Sequence, residues 1–232
     1  MLKYPVSPRQ SCFLKQEIQK FIIYSIVRLM LKLGEIFFKL RDYTPIPFVI
    51  VVIIYSSVNL QSLVVGILLT VFGETIRMLG VAHIGGVSRT RTYSTGQKLI
   101  TNGLFGHVRN PLYIGNFFLS LGIVVASNVN IYFSILFVAF FFLQYFLIVN
   151  WEENNLLNTF GKEFEEYKSK VPRWIPSIFK KTNSDAKTTP DFKKAFKSER
   201  STLLAVIVLY LIVLWRSHWL DGLLNMIVNI MS

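Results

Sequence analysis

The chain has 232 residues, of which 52% are hydrophobic and only 16% are charged, with a formal net charge of +12. A soluble domain of ordinary composition carries about 25% charged residues, so this chain has too few charges to cover a surface that faces water. The stretches 43–73, 112–151 and 201–215 contain no charged residue at all, which is typical of membrane spans. A soluble globular enzyme, a fibrous protein and a disordered chain are therefore excluded.

The positive charges lie between the apolar segments, as the positive-inside rule expects for cytoplasmic parts of a membrane protein. We therefore expect the membrane as a partner and no nucleic acid. Cys12 is the only cysteine, and the three histidines lie far apart in the sequence. Neither residue type has the spacing of metal ligands, so we expect no metal site.

The N-terminal segment, 1–44, contains an apolar run at 17–41 that charged residues interrupt. On a helix these charges fall within a narrow arc opposite the apolar side chains: Arg28, Lys32, Glu35 and Lys39. We interpret the run as a basic amphipathic helix that lies at the cytoplasmic interface. A membrane span whose charged side chains reach the headgroups is the alternative.

A membrane core is predicted at 45–176, and it contains two helical hairpins. The first hairpin pairs 46–58 with 60–84, and the second pairs 112–126 with 131–151. Their turns, at 58–59 and 127–130, carry no charge, whereas 85–111 and 152–200 are basic. We therefore expect the hairpin tips on the outer side and the two basic segments in the cytoplasm.

Two further segments follow the core. Residues 177–200 are rich in Lys, Ser, Thr and Asp, so we interpret them as a basic cytoplasmic linker. Residues 201–232 are predicted to add a C-terminal membrane helix, which runs from Ser201 to Trp219 or nearby.

The first basic segment ends in Arg109, Asn110 and Pro111, directly before an apolar run. Asn110 fits the N-cap of a helix, and Pro111 fits its first position. The start of a helix favours anions, and Arg109 adds a planar positive group. The plain alternative is that Asn110 only caps the helix while Arg109 anchors it at the headgroups.

Two pairs of charged residues border the predicted spans. Glu152 and Glu153 follow the 131–151 span directly, and they could hold a cationic ligand or hydroxyl groups. The alternative is an ordinary solvated continuation of the helix. Glu74 and Arg77 are three residues apart and can pair; we interpret them as structural residues or as a wall of the site.

Together the two basic segments resemble the integral-membrane methyltransferases typified by isoprenylcysteine carboxyl methyltransferase and the phospholipid N-methyltransferases. The resemblance covers residues 60–176 or nearly so. An ordered set of residues on both sides of the second hairpin carries it: Leu99, Ile100, Gly103, Phe105, Arg109, Asn110, Pro111, Tyr113, Gly115, Glu152, Glu153, Leu157, Phe160, Gly161, Phe164, Tyr167, Val171 and Pro172.

The resemblance implies an all-α fold: an integral membrane helical bundle of about five or six membrane helices, with two hairpins and a cofactor pocket on the cytoplasmic side. The implied cofactor is S-adenosylmethionine. By matching positions, the implied cofactor-binding residues are Gln97, Lys98, Leu99, Ile100, Phe105, Asn110, Pro111, Leu112, Tyr113, Glu152 and Glu153.

The resemblance also suggests roles for individual residues. Glu152 would balance the positive charge of the donor, and Arg109 would orient an anionic group of a lipid or lipidated acceptor; these two are the candidate catalytic residues. The chain departs from the family at Asn110, where a histidine is usual, and at Ile148, where the prenylcysteine branch has an arginine. The acceptor is therefore left open between an isoprenoid or prenyl carboxylate and a phospholipid amine.

Two other functions remain as alternatives. The stretch around Arg109 is similar to one in sterol reductases, which use NADPH, although those proteins are usually much longer. A membrane scaffold without enzymatic activity is the other alternative. Binding of S-adenosylmethionine but not of NADPH is expected from a methyltransferase, and neither is expected from a scaffold.

Overall fold

The computed structural model describes residues 8–84, 99–177 and 189–231, and within these ranges all regular secondary structure is helical. A short 3₁₀ turn occupies Gly103–Gly106. The α-helices are α1 (Pro8–Leu40), α2 (Ile46–Tyr55), α3 (Leu60–Ile84), α4 (Pro111–Ala126), α5 (Ile131–Phe160), α6 (Lys162–Lys170), α7 (Phe192–Arg216) and α8 (Trp219–Met231).

Several of these helices have the length and composition of membrane helices. In the described part of the chain, α3, α5 and α7 are long and apolar enough to cross a bilayer, and α2 and α4 are shorter apolar helices. Large apolar side chains on their outer faces are exposed, such as Leu68, Phe72 and Leu136. This arrangement suits lipid and not water, so the predicted all-α membrane bundle is confirmed.

The two predicted hairpins are present, and their tips meet at the same end of the bundle. The Ser57 N–H donates to the Ser127 carbonyl at 2.9 Å, and Asn128 Nδ2 donates to the Ser57 carbonyl at 2.9 Å. Asn59 and Asn130 accept hydrogen bonds from the first turns of α3 and α5. Local turn chemistry therefore sets both hairpin turns where the sequence predicts them.

Glycines bring α3 and α4 into direct backbone contact. A Cβ atom added at Gly73 would lie 2.6 Å from the Gly115 carbonyl oxygen, and one at Gly66 would lie 2.5 Å from that of Gly122. Small residues at such spacing let membrane helices approach closely. This contact sets the distance between the two hairpins, and therefore the position of the first turn of α4 relative to α3.

Helix α1 begins at Pro8, earlier than the predicted position 17, and packs directly against α5. A Cβ atom added at Gly34 would lie 2.7 Å from that of Trp151, and the Phe37 and Phe140 rings lie 6.3 Å apart. These contacts reach the apolar part of α5. Helix α1 is nevertheless not among the described helices that are long and apolar enough to cross a bilayer.

The predicted linker at 177–200 is wrong at its C-terminal end, because α7 begins inside it at Phe192. The Asp191 side chain caps the helix by accepting from the Lys194 N–H at 2.9 Å, a hydrogen bond that lowers the pKa of Asp191. Ala195 and Glu199 are completely buried. The Lys-rich composition does not indicate a buried face, because this face is buried only by the packing of α7 against α3.

Helix α7 runs antiparallel to α3. Its contacts progress from Ala82, which accepts from the Asp191 N–H at 2.9 Å, to Thr70, whose hydroxyl lies 2.8 Å from that of Tyr210. Between them, Arg77 donates to Glu199 and to Asn116. The predicted pairing of Arg77 with Glu74 is confirmed at 3.5 Å, but Glu199 is the closer partner.

The C-terminal segment, predicted as one helix, forms two. Helix α7 ends at Arg216, and α8 begins at Trp219. Between them His218 has a φ of 54°, which lies in the left-handed region and ends a right-handed helix.

Replacing Glu199 by leucine is expected to lower the midpoint of thermal unfolding of the detergent-solubilised protein by about 5–10 °C. The change leaves the buried Arg77 with its hydrogen bond to Asn116 and with the longer ion-pair contact to Glu74. Arg200→Leu, which removes an exposed charge from the same helix, is the matched control and should have little effect. An unchanged midpoint for Glu199→Leu would contradict the role of this pair in docking α7.

Candidate functional site

A cavity of about 1030 Å³ runs from the 99–111 loop into the bundle between α2, α4, α5 and α7. Gln97 and Lys98 lie outside the described residues. The other ten predicted cofactor-binding and catalytic residues all line this cavity: Leu99, Ile100, Phe105, Arg109, Asn110, Pro111, Leu112, Tyr113, Glu152 and Glu153. The structure thus brings together residues that are up to 54 positions apart in the chain, from Leu99 to Glu153. That they bind a cofactor stays a prediction.

Helix α6 holds the 99–106 loop against the cavity. Leu99 packs in a buried cluster with Phe164, Tyr167 and Val171, and the Tyr167 hydroxyl donates to the Phe105 carbonyl at 2.8 Å. Burial raises the pKa of Tyr167, so the phenol keeps its proton and remains a donor. The predicted motif around Phe164 and Tyr167 therefore supports the loop, and Tyr167 also lines the cavity.

Glu153 is buried and joins three elements. Arg109 Nε donates to Glu153 Oε1 at 3.0 Å, and Arg173 donates to both oxygens of the same carboxylate, at 3.1 and 2.5 Å. Arg109 Nη1 also donates to the carbonyls of Lys168 and Val171. These contacts fasten the start of α4 and the end of α6 to α5.

Arg109 therefore has a different position from the one that the sequence suggested for it. It lines the cavity, but its hydrogen bonds go to protein groups, and only 9% of its side chain is exposed. These contacts favour a positioning role for Arg109 rather than direct contact with an acceptor.

The predicted N-cap role of the Asn110 side chain is wrong, although α4 does begin at Pro111. Asn110 Nδ2 donates to the Arg173 carbonyl at 3.2 Å, and its side chain makes no capping hydrogen bond. The asparagine is used to hold the chain that follows α6. Together with Glu153, it fastens the segment around Arg173 beside the cavity.

Glu152 and Glu153 both line the cavity, but Glu152 accepts a hydrogen bond from a tyrosine, whereas Glu153 accepts from two arginines. Helix α5 continues to Phe160, so Glu152 lies within the helix and not at its C-terminal end, where the dipole would disfavour a carboxylate. The Tyr113 hydroxyl donates to Glu152 Oε2 at 2.7 Å. Leu156 and Phe160 follow at intervals of four residues and line the same cavity.

Two polar residues at the site, Tyr145 and Asn116, were not predicted as members of it. The Tyr145 ring lies 4.7 Å from that of Tyr113, and Asn116 Nδ2 donates to the Tyr145 hydroxyl at 3.3 Å. Asn116 in turn accepts from Arg77. Tyr145 lies seven residues, or about two helical turns, before Glu152, a spacing that could have indicated it.

The inner part of the cavity is apolar. Helices α2, α4 and α5 contribute Phe48, Val52, Ile123 and Phe137. Helix α7 contributes a stripe at helical spacing: Thr202, Ala205, Val206 and Leu209. The C-terminal helix, for which the sequence offered no function, is therefore one wall of the cavity.

Curated relatives of the chain carry one shared name. The chain is 34% identical over 80 residues to the protein-S-isoprenylcysteine O-methyltransferase of Schizosaccharomyces pombe, covering 34% of each protein. It is 31% identical over 121 residues to that of Homo sapiens, covering 50% of the chain and 41% of the relative. A probable enzyme of the same name from Oryza sativa subsp. indica is 32% identical over 123 residues, covering 49% and 61%.

The predicted resemblance to the isoprenylcysteine methyltransferases is confirmed. The matches cover between 34 and 61% of the length of these three relatives. The similarity therefore extends over only part of each relative. The model of the Ergosterol biosynthesis ERG4/ERG24 family, a related membrane family, matches residues 84–179. No solved structure matches the chain.

The residues matched by that family model include every predicted site residue of this isoprenylcysteine methyltransferase homologue. Arg41, Arg77 and the α7 stripe also line the cavity, but they lie outside 84–179. Within the described part of the chain, no group of three or more His, Cys, Asp or Glu residues could hold a metal ion.

Proposed function

We propose that this chain transfers a methyl group from S-adenosylmethionine to a lipid or lipidated acceptor at the cytoplasmic face of a membrane. The observation that carries the proposal is the cavity, which joins a polar end at Glu152 to an apolar end between membrane helices. A donor with a positive charge suits the first end, and a long apolar group suits the second. The names of the curated relatives favour a prenylcysteine as the acceptor.

The polar end has groups that suit S-adenosylmethionine. The whole cavity, of about 1030 Å³, has a volume near the upper end of the usual range for small-molecule sites. The Glu152 carboxylate, oriented by Tyr113, would interact with the positive charge of the donor or with its amine or ribose hydroxyls. Phe105 offers an aromatic surface for a base or a cation.

S-adenosylmethionine supplies an electrophilic methyl group on a positively charged sulfur. In the transfer, the S–CH₃ bond breaks with its electron pair staying on sulfur, while an acceptor oxygen or nitrogen forms the new bond. A carboxylate acceptor needs no base, because it carries no proton on the attacking oxygen. The task of the chain is then alignment and exclusion of water, which the braces at Glu153 and Asn110 serve by holding the cavity wall in place.

The apolar end would take the hydrocarbon part of the acceptor. Its walls are aliphatic and aromatic side chains of α2, α4 and α5, closed on one side by α7. Burial of a hydrocarbon chain there contributes about 0.8 kcal/mol for each methylene group. This binding would place the reactive group of the acceptor near the polar end.

The orientation of the site toward the cytoplasm is also part of the proposal. Its support is the charge distribution, because both segments that border the polar end are basic. The hairpin tips, which carry no charge, lie at the opposite ends of α4 and α5 from Arg109 and Glu152. By the positive-inside rule, this charge distribution supports a cytoplasmic position for the polar end.

Methyl-labelled S-adenosylmethionine tests the function. Membranes that contain the chain or its Glu152→Ala variant are incubated with the label and with N-acetyl-S-farnesylcysteine, and the extracted lipids are then treated with base. We expect label that is released as volatile methanol, which indicates a carboxyl methyl ester. Base-stable label on a phospholipid headgroup would indicate amine methylation instead. Equal label with the wild type, the variant and empty membranes would contradict the proposal.

A nicotinamide-dependent reduction is the second candidate function, since the matching family model is that of a sterol biosynthesis family. Equilibrium binding separates the two. A methyltransferase should bind S-adenosylhomocysteine and not NADPH, whereas tighter binding of NADPH would favour the reductase. Binding of neither would favour a scaffold.

A further inference from the structure

Among the described residues, three arginines line the cavity, and two of them are already neutralised by carboxylates. Arg77 pairs with Glu199 and Glu74, and Arg109 pairs with Glu153. Both also donate to neutral oxygens of the protein. Neither guanidinium is therefore well placed to take a second anion.

Arg41, in the turn after α1, is the third and differs from the other two. Only 17% of its side chain is exposed, and its nearest carboxylate oxygen, on Asp42, lies 3.9 Å away. Its guanidinium lies over the Phe38 ring, 4.2 Å from the centroid. Within the described residues, no hydrogen bond from this guanidinium is present. The side chain lines the cavity, so its N–H donors can take a hydrogen-bond acceptor that is bound there.

The turn that carries Arg41 is fixed on α5. The N–H groups of Tyr43 and Thr44 donate to the Leu40 carbonyl, and Gln144 Nε2 donates to the Thr44 hydroxyl at 2.9 Å. The Phe38 ring lies 4.7 Å from that of Trp151, the residue before Glu152. Arg41 is thus held in the lining of the cavity that Glu152 and Tyr113 also line.

We propose that Arg41 binds the carboxylate of a ligand in this cavity, and that this carboxylate belongs to the methyl acceptor. The inference rests on the proposed function and names the residue that would bind the carboxylate of its acceptor. An ammonium acceptor would be repelled by Arg41, whereas a carboxylate would receive its N–H donors in a planar, paired geometry. Glu152 and Arg41 then divide the polar end into a side for a cation and a side for an anion.

The donor also carries a carboxylate, on its methionine part, and it offers the same chemistry to Arg41. The two sources differ in what a loss of Arg41 would weaken. If the carboxylate is that of the acceptor, loss of Arg41 leaves the affinity for S-adenosylhomocysteine unaffected and abolishes the discrimination between acceptors. If it is that of the donor, loss of Arg41 lowers the affinity for S-adenosylhomocysteine and leaves the discrimination between acceptors unaffected.

Equilibrium binding to the detergent-solubilised chain tests the proposal without any methyl transfer. The probes are N-acetyl-S-farnesylcysteine and its neutral carboxamide, and the wild type is expected to bind the carboxylate about tenfold more tightly or better. Arg41→Gln should reduce this preference to about twofold or less, and Arg41→Lys should restore part of it. Lys39→Gln, which removes an exposed charge two residues away, is the matched control and should keep the preference.

Three other results of these measurements would each contradict a different statement: that Arg41 binds the acceptor, that the carboxylate is not that of the donor, or that the chain transfers a methyl group. An unchanged preference in Arg41→Gln, with an unchanged midpoint of thermal unfolding, would show that Arg41 does not bind the acceptor. Weaker binding of S-adenosylhomocysteine with an unchanged acceptor preference would assign Arg41 to the donor. A preference that depends on Arg41 without any methyl transfer would uphold the carboxylate site and overturn the proposed reaction.

Discussion

Replacing Glu152 by glutamine is expected to reduce kcat/KM for methyl transfer about a hundredfold. The change keeps the size of the side chain and the hydrogen bond from Tyr113, but it removes the negative charge that would face the donor. A hydrogen bond to a charged group contributes about 1.5–3 kcal/mol, which corresponds to a factor of about 10–150 in rate or affinity. Initial rates with methyl-labelled S-adenosylmethionine and a fixed acceptor measure this loss.

Glu166→Gln is the matched control for this prediction, because Glu166 lies on the exposed side of α6. It should retain the activity of the wild type. The affinity for S-adenosylhomocysteine, measured alongside, separates loss of donor binding from loss of the chemical step. An active Glu152→Gln variant would contradict the role of Glu152 as the counter-charge and would leave its hydrogen bond to Tyr113 as a structural contact.

Replacing Gly73 by leucine is expected to destabilise the bundle by at least about 3 kcal/mol. The new Cβ atom would lie 2.6 Å from the Gly115 carbonyl oxygen and 3.0 Å from the Leu119 Cα atom. Both are backbone atoms of α4, so no side-chain rotation can relieve the clash. We expect little folded protein after extraction in detergent, measured by size-exclusion chromatography and by the midpoint of thermal unfolding.

Gly222 in α8 offers the same substitution without a close neighbour. A Cβ atom added there has no described atom within 4 Å, so Gly222→Leu should be recovered like the wild type. If Gly73→Leu and Gly222→Leu have the same midpoint, the contact between α3 and α4 would not determine the stability of the bundle. The comparison also tests whether the packing of α3 against α4 depends on a close approach of their backbones, as small residues allow in membrane helices.

Local signals in the chain predicted a large part of the fold. Apolar runs without charge located the hairpins, Pro111 began α4, and Gly161 ended α5 with a φ of 51°. These features succeed because helix starts, turns and stops depend on neighbouring residues. The same local view failed at 192–200, where a Lys-rich stretch hides a buried helical face.

The candidate site was predicted in part, and the reason is again physical. The residues around Arg109 and Glu152 form ordered motifs in the sequence, and the cavity collects all ten that are described. The individual roles of these residues could not be predicted from the sequence. The positions of α6 and of the segment around Arg173 decide whether Arg109 contacts a ligand or a carbonyl. They also decide which of Glu152 and Glu153 is buried.

The acceptor is the clearest example. The sequence leaves a carboxylate acceptor in doubt, because Ile148 stands where the related branch has an arginine. In the folded chain Ile148 is completely buried. Arg41, which lies more than a hundred positions earlier in the sequence, lines the cavity from the turn after α1. No pattern around residue 41 distinguishes this arginine from the other basic residues of the N-terminal segment.

By itself, the sequence determined that this protein is helical, lies in a membrane, turns its hairpins at the asparagine-containing tips and resembles the isoprenylcysteine methyltransferases. Charge distribution, helix caps and ordered motifs are local properties, so they can be seen along one chain. Only the tertiary structure decided that α7 closes the cavity, that Arg109 braces its wall and that Arg41 faces its interior. Those outcomes depend on contacts between distant helices, where the direction of a side chain follows from the packing of its neighbours.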